Sequence, residues 1–211
     1  MTVREQFENE TKRFERWANR EYPNLPRHGE WECEYWEWQA LYSSCRAHLD
    51  TYTPQEWTED DSDMLLYVLA RDNEVQLIQS ELENRPEHLA ALAKLALSIP
   101  CDRDARWQLA DSLGKVAIAG RESLLEQYFG DGDEYVRRRA LLSLGRIGSS
   151  KVDVLAVRAW DSGDEYHRMC ALSALSDVGS RNLGHYLDMA ETDGRQFLVS
   201  HARRIRAGSA R

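Results

Sequence analysis

The feature that most constrains this chain is an internal repeat with a period of 31 residues. Residues 133–149 (DEYVRRRALLSLGRIGS) and 164–180 (DEYHRMCALSALSDVGS) are identical at nine of 17 positions. The same step backwards from Asp133 reaches Asp102, within CDRDARWQLADSLGKVA (101–117), and the same step forwards from Ala171 reaches Ala202, within a degenerate copy, GRQFLVSHARRI (194–205). A unit of this length cannot bury its apolar face alone, so the copies are expected to stack on one another.

Each copy has the signals of a helix with defined ends. Asp133 precedes the first turn, where its carboxylate can accept hydrogen bonds from backbone N–H groups. Apolar residues then recur at helical spacing up to Ile147. Gly148 follows where a left-handed residue ends a helix, and Ser149 can cap the next one. Between copies, KVDVLAVRAW and RNLGHYLDMA predict shorter amphipathic helices. Each repeat is therefore predicted to be a pair of antiparallel helices.

The pattern D-x-x-V-R-x-x-A-x-x-x-L-G-x-I-G resembles the HEAT-like repeats first catalogued in phycobilisome lyases. Residues 133–148 match this pattern closely. Residues 164–179 match it except at His167 and Ser176, and residues 102–117 match it more loosely. The resemblance implies an all-α fold, a right-handed α-α superhelix (HEAT-like solenoid), here with a non-repeat N-terminal helical cap. It also implies a concave, ligand-facing surface and a scaffold or binding role.

The predicted organisation is an acidic, Trp-rich cap over residues 1–58 and a repeat array over residues 59–211. The clearest repeats are expected at 102–132, 133–163 and 164–192, followed by a degenerate copy at 193–207. Within the cap, six apolar residues step by four and three, which predicts one face of a long helix packed on the first repeat. These residues are Trp31, Tyr35, Trp38, Tyr42, Cys45 and Leu49.

The formal charge of −9 is concentrated in the cap. Residues 30–63 contain ten acidic residues and one basic residue, and the rest of the chain carries 26 of each sign. An evenly spread acidic charge argues against nucleic acid or an anionic membrane as the main partner, because both require a basic surface. The concentration in the cap weakens that argument. It indicates either a solvated acidic face or a docking surface for a basic protein, with exposed aromatic residues as anchors.

Candidate partner-binding residues follow from this distribution and from positions that vary between copies. In the acidic segment of residues 30–63 they are Glu30, Glu34, Trp36, Glu37, Trp57, Glu59, Asp60 and Asp61. In the repeats they are Trp107, Asp111, Arg138 and Met169. Residues that recur in every copy are better explained by stacking. We therefore expect a structural ladder of charge-assisted hydrogen bonds between neighbouring repeats, formed by Asp102, Arg106, Asp133, Arg137, Asp164 and Arg168.

The sequence gives little support for catalysis or metal binding. The sequence has no Gly-rich phosphate loop, HExxH, GxSxG or paired CxxC. The residues His28, Cys33, Cys45 and His48 fit no usual zinc spacing, so neither a metal nor a cofactor is expected, and the four cysteines are expected to be thiols. One enzymatic alternative remains. Trp107, Asp111 and Trp160 are similar to the site of HEAT-fold DNA glycosylases for alkylated bases, and Arg137, Arg138, Arg139 and Arg146 could contact phosphate.

The predicted function is a non-enzymatic protein–protein interaction module whose partner has a basic contact surface. A sharper form is an inhibitor or immunity-type protein that covers a basic toxin or nuclease. The alternatives are the glycosylase, an accessory factor for a chromophore-carrying protein, which the lyase resemblance implies, and a purely structural scaffold. The charged N-terminus shows no signal peptide and no stretch suits a membrane span, so we expect a soluble, cytoplasmic protein.

Overall fold

The computed structural model describes residues 1–23, 31 and 34–209. Over these residues the chain consists of α-helices, one short 3-10 turn at Pro54–Glu56 and no β-strand, which confirms the predicted all-α fold class. The helices are α1 Val3–Glu21, α2 Trp38–Thr51, α3 Glu59–Arg71, α4 Leu77–Glu83, α5 Pro86–Leu95, α6 Arg103–Leu113, α7 Arg121–Phe129, α8 Glu134–Arg146, α9 Val152–Asp161, α10 Glu165–Asp177, α11 Leu183–Glu191 and α12 Gln196–Ser209.

Helix positions reproduce the sequence period. Helices α6, α8, α10 and α12 begin at residues 103, 134, 165 and 196, each 31 residues after the one before. Helices α7, α9 and α11 begin at 121, 152 and 183, again 31 residues apart. The degenerate last copy therefore forms a helix in register with the others. A helix pair is the repeating element, as expected of an α-solenoid.

The chain divides into two compact units, Met1–Ser112 (unit 1) and Leu113–Arg211 (unit 2). Unit 1 contains 12 basic and 23 acidic residues, a formal charge of −11, whereas unit 2 contains 15 basic and 13 acidic residues, a formal charge of +2. The acidic character of the chain therefore belongs to unit 1. A boundary between cap and repeats at residue 58 stays a prediction from the sequence.

Unit 2 is a stack of helix pairs in two layers. Helix α8 packs on α7 and α10, and α10 also packs on α9 and α12. The core between the layers is made of small and branched side chains such as Val136, Ala140 and Leu172, which are fully buried. Where α8 crosses α10, Gly145 of α8 faces the backbone of Ala174 in α10. The small residues let the two helices approach closely, which is why the copies stack in one register.

The helix ends in unit 2 follow the predicted signals. The Asp133 carboxylate accepts hydrogen bonds from the N–H groups of Tyr135 and Val136, and Asp164 caps α10 through the N–H of His167. Gly148 has a φ of +70°, in the left-handed region that side chains with a Cβ rarely adopt. The Ser149 hydroxyl then accepts a hydrogen bond from the next turn, at the N–H of Lys151.

Unit 1 is built on a cluster of aromatic rings between α1 and α2. The ring of Phe14 lies 4.9 Å from those of Tyr35 and Trp38, and the Trp17 ring lies 4.9 Å from that of Tyr35. Helix α1 also packs on α3, and α2 packs on α4. Contacts between aromatic rings add to the free energy of burial, so this cluster is the main core of unit 1.

The predicted long helix of the cap is wrong in its first half. Helix α2 begins only at Trp38, whereas Trp31 and Tyr35 lie outside any helix. All six residues of the predicted apolar stripe are nevertheless buried. A helix extended backwards would place Glu34 and Glu37 three residues apart on one face, where like charges repel. The Glu37 carboxylate instead pairs with Arg13 of α1.

Candidate functional site

Exposed carboxylates on α1 and α3 form the acidic face of unit 1, which we define as Glu8, Glu15, Glu59, Asp60 and Asp63. Glu8 pairs with Lys12, and the charges of Asp60 and Glu15 also act on that ammonium group. Among the described residues, no salt bridge or hydrogen bond reaches the side chains of Glu15, Glu59, Asp60 or Asp63. Most of the negative charge on this face is therefore left for solvent or a partner.

Helix α3 positions three of these carboxylates through a strong N-terminal cap. The Thr58 hydroxyl accepts a hydrogen bond from the Asp61 N–H, and the Asp61 carboxylate accepts one from the Thr58 N–H at 2.8 Å. In this capping box Thr58 is the N-cap residue, and the helix begins at the next residue, Glu59. Acidic residues in a first turn interact favourably with the helix dipole, so Glu59 and Asp60 suit this position despite their mutual repulsion.

Asp61 was predicted to bind a partner, but its side chain is fully buried. Its carboxylate accepts hydrogen bonds from Arg4 at 3.0 and 3.1 Å and lies 3.6 Å from the ring of His48. Burial alone would raise the pKa of Asp61, but the hydrogen bonds from Thr58 and Arg4 outweigh it and hold that pKa below its usual value. The placement of Asp61 on a binding surface is therefore wrong, because the residue joins α3 to α1.

A groove of about 540 Å³ lies beside the acidic face. Helix α1, helix α3 and the segment before α6 form its walls. Its lining residues are Thr11, Glu15, Asp63, Met64, Leu66, Tyr67, Arg71, Pro100, Cys101 and Asp102. A volume of this size is in the range of ~300–1,000 Å³ found for ligand pockets. The groove therefore combines an apolar wall with carboxylates.

One guanidinium group already lies in this groove. Arg71 donates to the Asp102 carboxylate at 2.8 Å, and its guanidinium carbon lies 4.8 Å from the centre of the Tyr67 ring and 5.1 Å from that of Trp31. Desolvation raises the pKa of the Tyr67 hydroxyl above its usual value, although the charge and the hydrogen bond of Arg71 act to lower it, and the charges of Glu15 and Asp102 add to the rise. Tyr67 therefore lies between carboxylates of two walls.

The remaining cap residues meet α1 at two separate places. The turn before α2 meets α1 at Arg13, which pairs with Glu37 and lies 5.9 Å from the ring of Trp36. The start of α3 meets α1 at Arg4, nine residues earlier, or ~14 Å along the helix axis. Trp36 is 79% exposed and Glu34 is exposed, whereas Glu30 lies outside the described residues.

Trp57 is less accessible to a partner than the sequence implied. It is half-buried, and its ring meets that of His88 edge-on at 5.4 Å. The indole N–H is buried and has no acceptor among the described residues. Trp57 therefore contributes to the packing of the segment between α2 and α3 against α5, with one edge left at the surface.

Two candidates in unit 2 are partly accessible. Arg138 lies 5.1 Å from the ring centres of both Tyr135 and Tyr166, which are one repeat apart. Met169 is half-buried on α10. Tyr166 and Phe197, one repeat further on, are 50% and 64% exposed. These residues form an aromatic row on helices α8, α10 and α12, with Arg138 between the first two rings.

The residues that suggested a DNA glycosylase are buried. Trp107, Asp111 and Trp160 are 5%, 7% and 3% exposed. The Trp107 indole donates to Asp104 at 3.1 Å, and Asp111 accepts from Gln79 at 3.3 Å. We therefore correct the assignment of Trp107 and Asp111 as surface recognition residues. Helical spacing identified them without revealing that their helix face points into the fold.

The predicted Asp–Arg ladder has two separate roles. Asp133 and Asp164 cap their helices, as described above. Asp102 accepts from the N–H of Asp104 and pairs with Arg71. The arginines Arg106 and Arg137 donate to backbone carbonyls of the loop before their own helix. Arg168 donates to the Trp160 carbonyl and pairs with Asp193 of the next copy. Arg168 thus links neighbouring repeats in the expected way.

One cluster in unit 2 contains residue types that can bind a metal ion. Glu134, Asp164 and His167 place ligand atoms within 4.8 Å of one another. Each has a structural contact: Asp164 caps α10, and the His167 ring contacts the Glu134 carbonyl and the Ser162 hydroxyl, both at 3.3 Å. Desolvation lowers the pKa of His167, and the charges of Arg137 and Arg138 lower it further. That positive charge also disfavours a cation, so we assign the cluster to repeat packing.

The cysteines and histidines of the zinc hypothesis are only partly described. Cys45 and His48 are buried on α2, and His28 and Cys33 lie outside the described residues. Burial raises the pKa of the Cys45 thiol to about 12. Cys45, Cys101 and Cys170 are thiols, as predicted.

Comparison with known proteins supports the repeat assignment. Residues 121–204 match the family model for HEAT repeats, which spans helices α7 to α11 and most of α12. No curated protein matches the chain. No helix in the described part of the chain is long and apolar enough to cross a membrane. Residues 121–204 are therefore similar to HEAT repeats, a type of array that forms extended binding surfaces in other proteins.

Proposed function

We propose that this chain is a protein–protein interaction module that binds a basic partner through the acidic face of unit 1. The observation that carries the proposal is the set of four carboxylates on that face that form no salt bridge with the described residues, in a unit of charge −11. Asp63 has the same sign of charge as Glu59 and Asp60 at helical spacing, which costs a few tenths of a kcal/mol per pair. A complementary basic surface would remove that repulsion on binding.

The repeats supply the second part of the proposal. Unit 2 is a regular stack with a formal charge of +2, and it matches a family that serves mainly as a scaffold. Clustered charge on one partner accelerates association with an oppositely charged surface and makes it sensitive to salt. An inhibitor or immunity-type protein that covers a basic enzyme is one form of this function.

The test is a comparison of two charge-matched variants. The chain is immobilised as wild type, as Glu59→Gln/Asp60→Asn, and as Glu126→Gln/Asp161→Asn, whose carboxylates are exposed in unit 2. A lysate of the source cell is passed over each at low salt. We expect a specific basic protein to be retained by the wild type and the unit 2 variant and depleted on the unit 1 variant. Equal retention by both variants, or no specific protein on the wild type, would contradict the proposal.

A further inference from the structure

The groove beside the acidic face has the chemistry of a site for one cationic side chain. Two of its carboxylates, Glu15 on α1 and Asp63 on α3, form no salt bridge with the described residues. Tyr67 and Met64 provide an aromatic and an aliphatic wall between them. Aliphatic stems of long basic side chains pack on apolar walls while the charged head stays beside polar groups. The groove offers both surfaces.

Arg71 shows which cation this groove accommodates. Its planar guanidinium stacks beside the Tyr67 ring and pairs with Asp102, so one wall already combines an aromatic face with a carboxylate around an arginine. Arginine suits such a site better than lysine, because its flat guanidinium stacks on rings and its fork of donors matches a carboxylate. Because Asp102 already pairs with Arg71, Glu15 and Asp63 remain for a second guanidinium.

We infer that this groove binds an arginine side chain from a basic segment of the partner protein. The guanidinium lies between Glu15 and Asp63, and its stem packs along Met64 and Tyr67. The inference rests on the proposed function, since it names the group through which a basic partner is anchored. Such an anchor has the character of an interface hot spot, where arginine is enriched.

The test uses acetyl-Gly-Arg-Gly-amide, titrated into the full chain and followed by amide chemical shifts. We expect saturable shifts at Thr11, Tyr67 and Cys101, with a dissociation constant in the millimolar range. The same peptide with citrulline, a neutral isostere of arginine, should produce no saturable shift. Glu15→Gln and Asp63→Asn should each weaken binding about two- to fivefold, as expected for one exposed ion pair. Glu87→Gln removes one exposed charge from α5 and should leave binding unchanged.

The outcomes separate this inference from the proposed function. Equal shifts with arginine and citrulline, or no saturable shift with either, would overturn the arginine site. If retention of the partner protein still depends on Glu59 and Asp60 in that case, the acidic face is an interface and only the inference about the groove is wrong. If the arginine peptide binds while no basic protein is retained, the groove is a guanidinium site and the proposed function is wrong. Glu15 and Asp63 are exposed, so their variants are expected to fold.

Discussion

Replacing Gly145 by alanine tests how closely the repeats of unit 2 stack. A Cβ at this position would lie 2.9 Å from the Ala174 Cα and 3.1 Å from the Ala174 Cβ. In a helix interior alanine is favoured over glycine by ~1 kcal/mol, so propensity alone predicts a more stable protein. Overpacking a tight contact costs ~1–3 kcal/mol, and backbone atoms cannot rotate away as a side chain can. Because the clash involves backbone, we take the upper part of that range, ~2–3 kcal/mol, and expect a net loss of ~1–2 kcal/mol.

The matched control is Gly184→Ala in α11, where a Cβ would meet no atom within 4 Å. Propensity acts alone there and should stabilise the protein by ~0.5–1 kcal/mol. Urea and thermal unfolding followed by circular dichroism measure both variants. For a chain of this size Gly145→Ala should lower the melting temperature by ~3–6 °C, and Gly184→Ala should raise it slightly. A Gly145→Ala protein as stable as the wild type would refute the close approach of α8 and α10.

Two further predictions concern buried titratable groups. Desolvation lowers the pKa of His48, so the folded state favours the neutral form of this side chain. The stability that the neutral form contributes is therefore complete above pH ~6.5 and declines as the pH falls below that value. Between pH ~6.5 and ~5, the free energy of unfolding measured by urea titration should decrease less in His48→Gln than in the wild type. The control His185→Gln, at an exposed site, should show the same decrease as the wild type. Labelling with a thiol reagent under native conditions should modify Cys101 in the groove before Cys45, whose burial raises its pKa to about 12. Rapid native labelling of Cys45 would contradict the packing of α2.

The ends of the repeat helices could be predicted from the sequence because each helix end depends on only a few neighbouring residues. Asp133 caps its helix and Gly148 ends it for reasons of backbone geometry that a short segment contains. The period of 31 residues then places equivalent helices in one register, since every copy must stack on the next.

Spacing alone could not decide which helix faces are accessible. Trp107 and Asp111 lie at positions that vary between copies, but their helix face is buried. Asp61 and Asp60 are neighbours in one acidic run, and only the former turns inward to Arg4. Such outcomes depend on contacts between residues far apart in the sequence, such as the 57 positions between Arg4 and Asp61.

The groove was missed because its walls come from three separate segments. Glu8, Thr11 and Glu15 share one face of α1, and Asp60, Asp63 and Tyr67 share one face of α3. Two polar faces at helical spacing are a signal that was present in the sequence. What was missing is the pairing of α1 with α3, which the repeat pattern does not cover because neither helix belongs to a clear copy.

The most direct test of the acidic face is the salt dependence of partner binding. The retained basic partner is titrated with the wild type, Glu59→Gln/Asp60→Asn and Glu126→Gln/Asp161→Asn over a range of ionic strength. We expect the unit 1 variant to bind about three- to tenfold more weakly at low salt, with the difference vanishing at high salt as charges are screened. The unit 2 variant should match the wild type throughout. If both variants lose the same affinity, only net charge matters and the acidic face is not the binding surface.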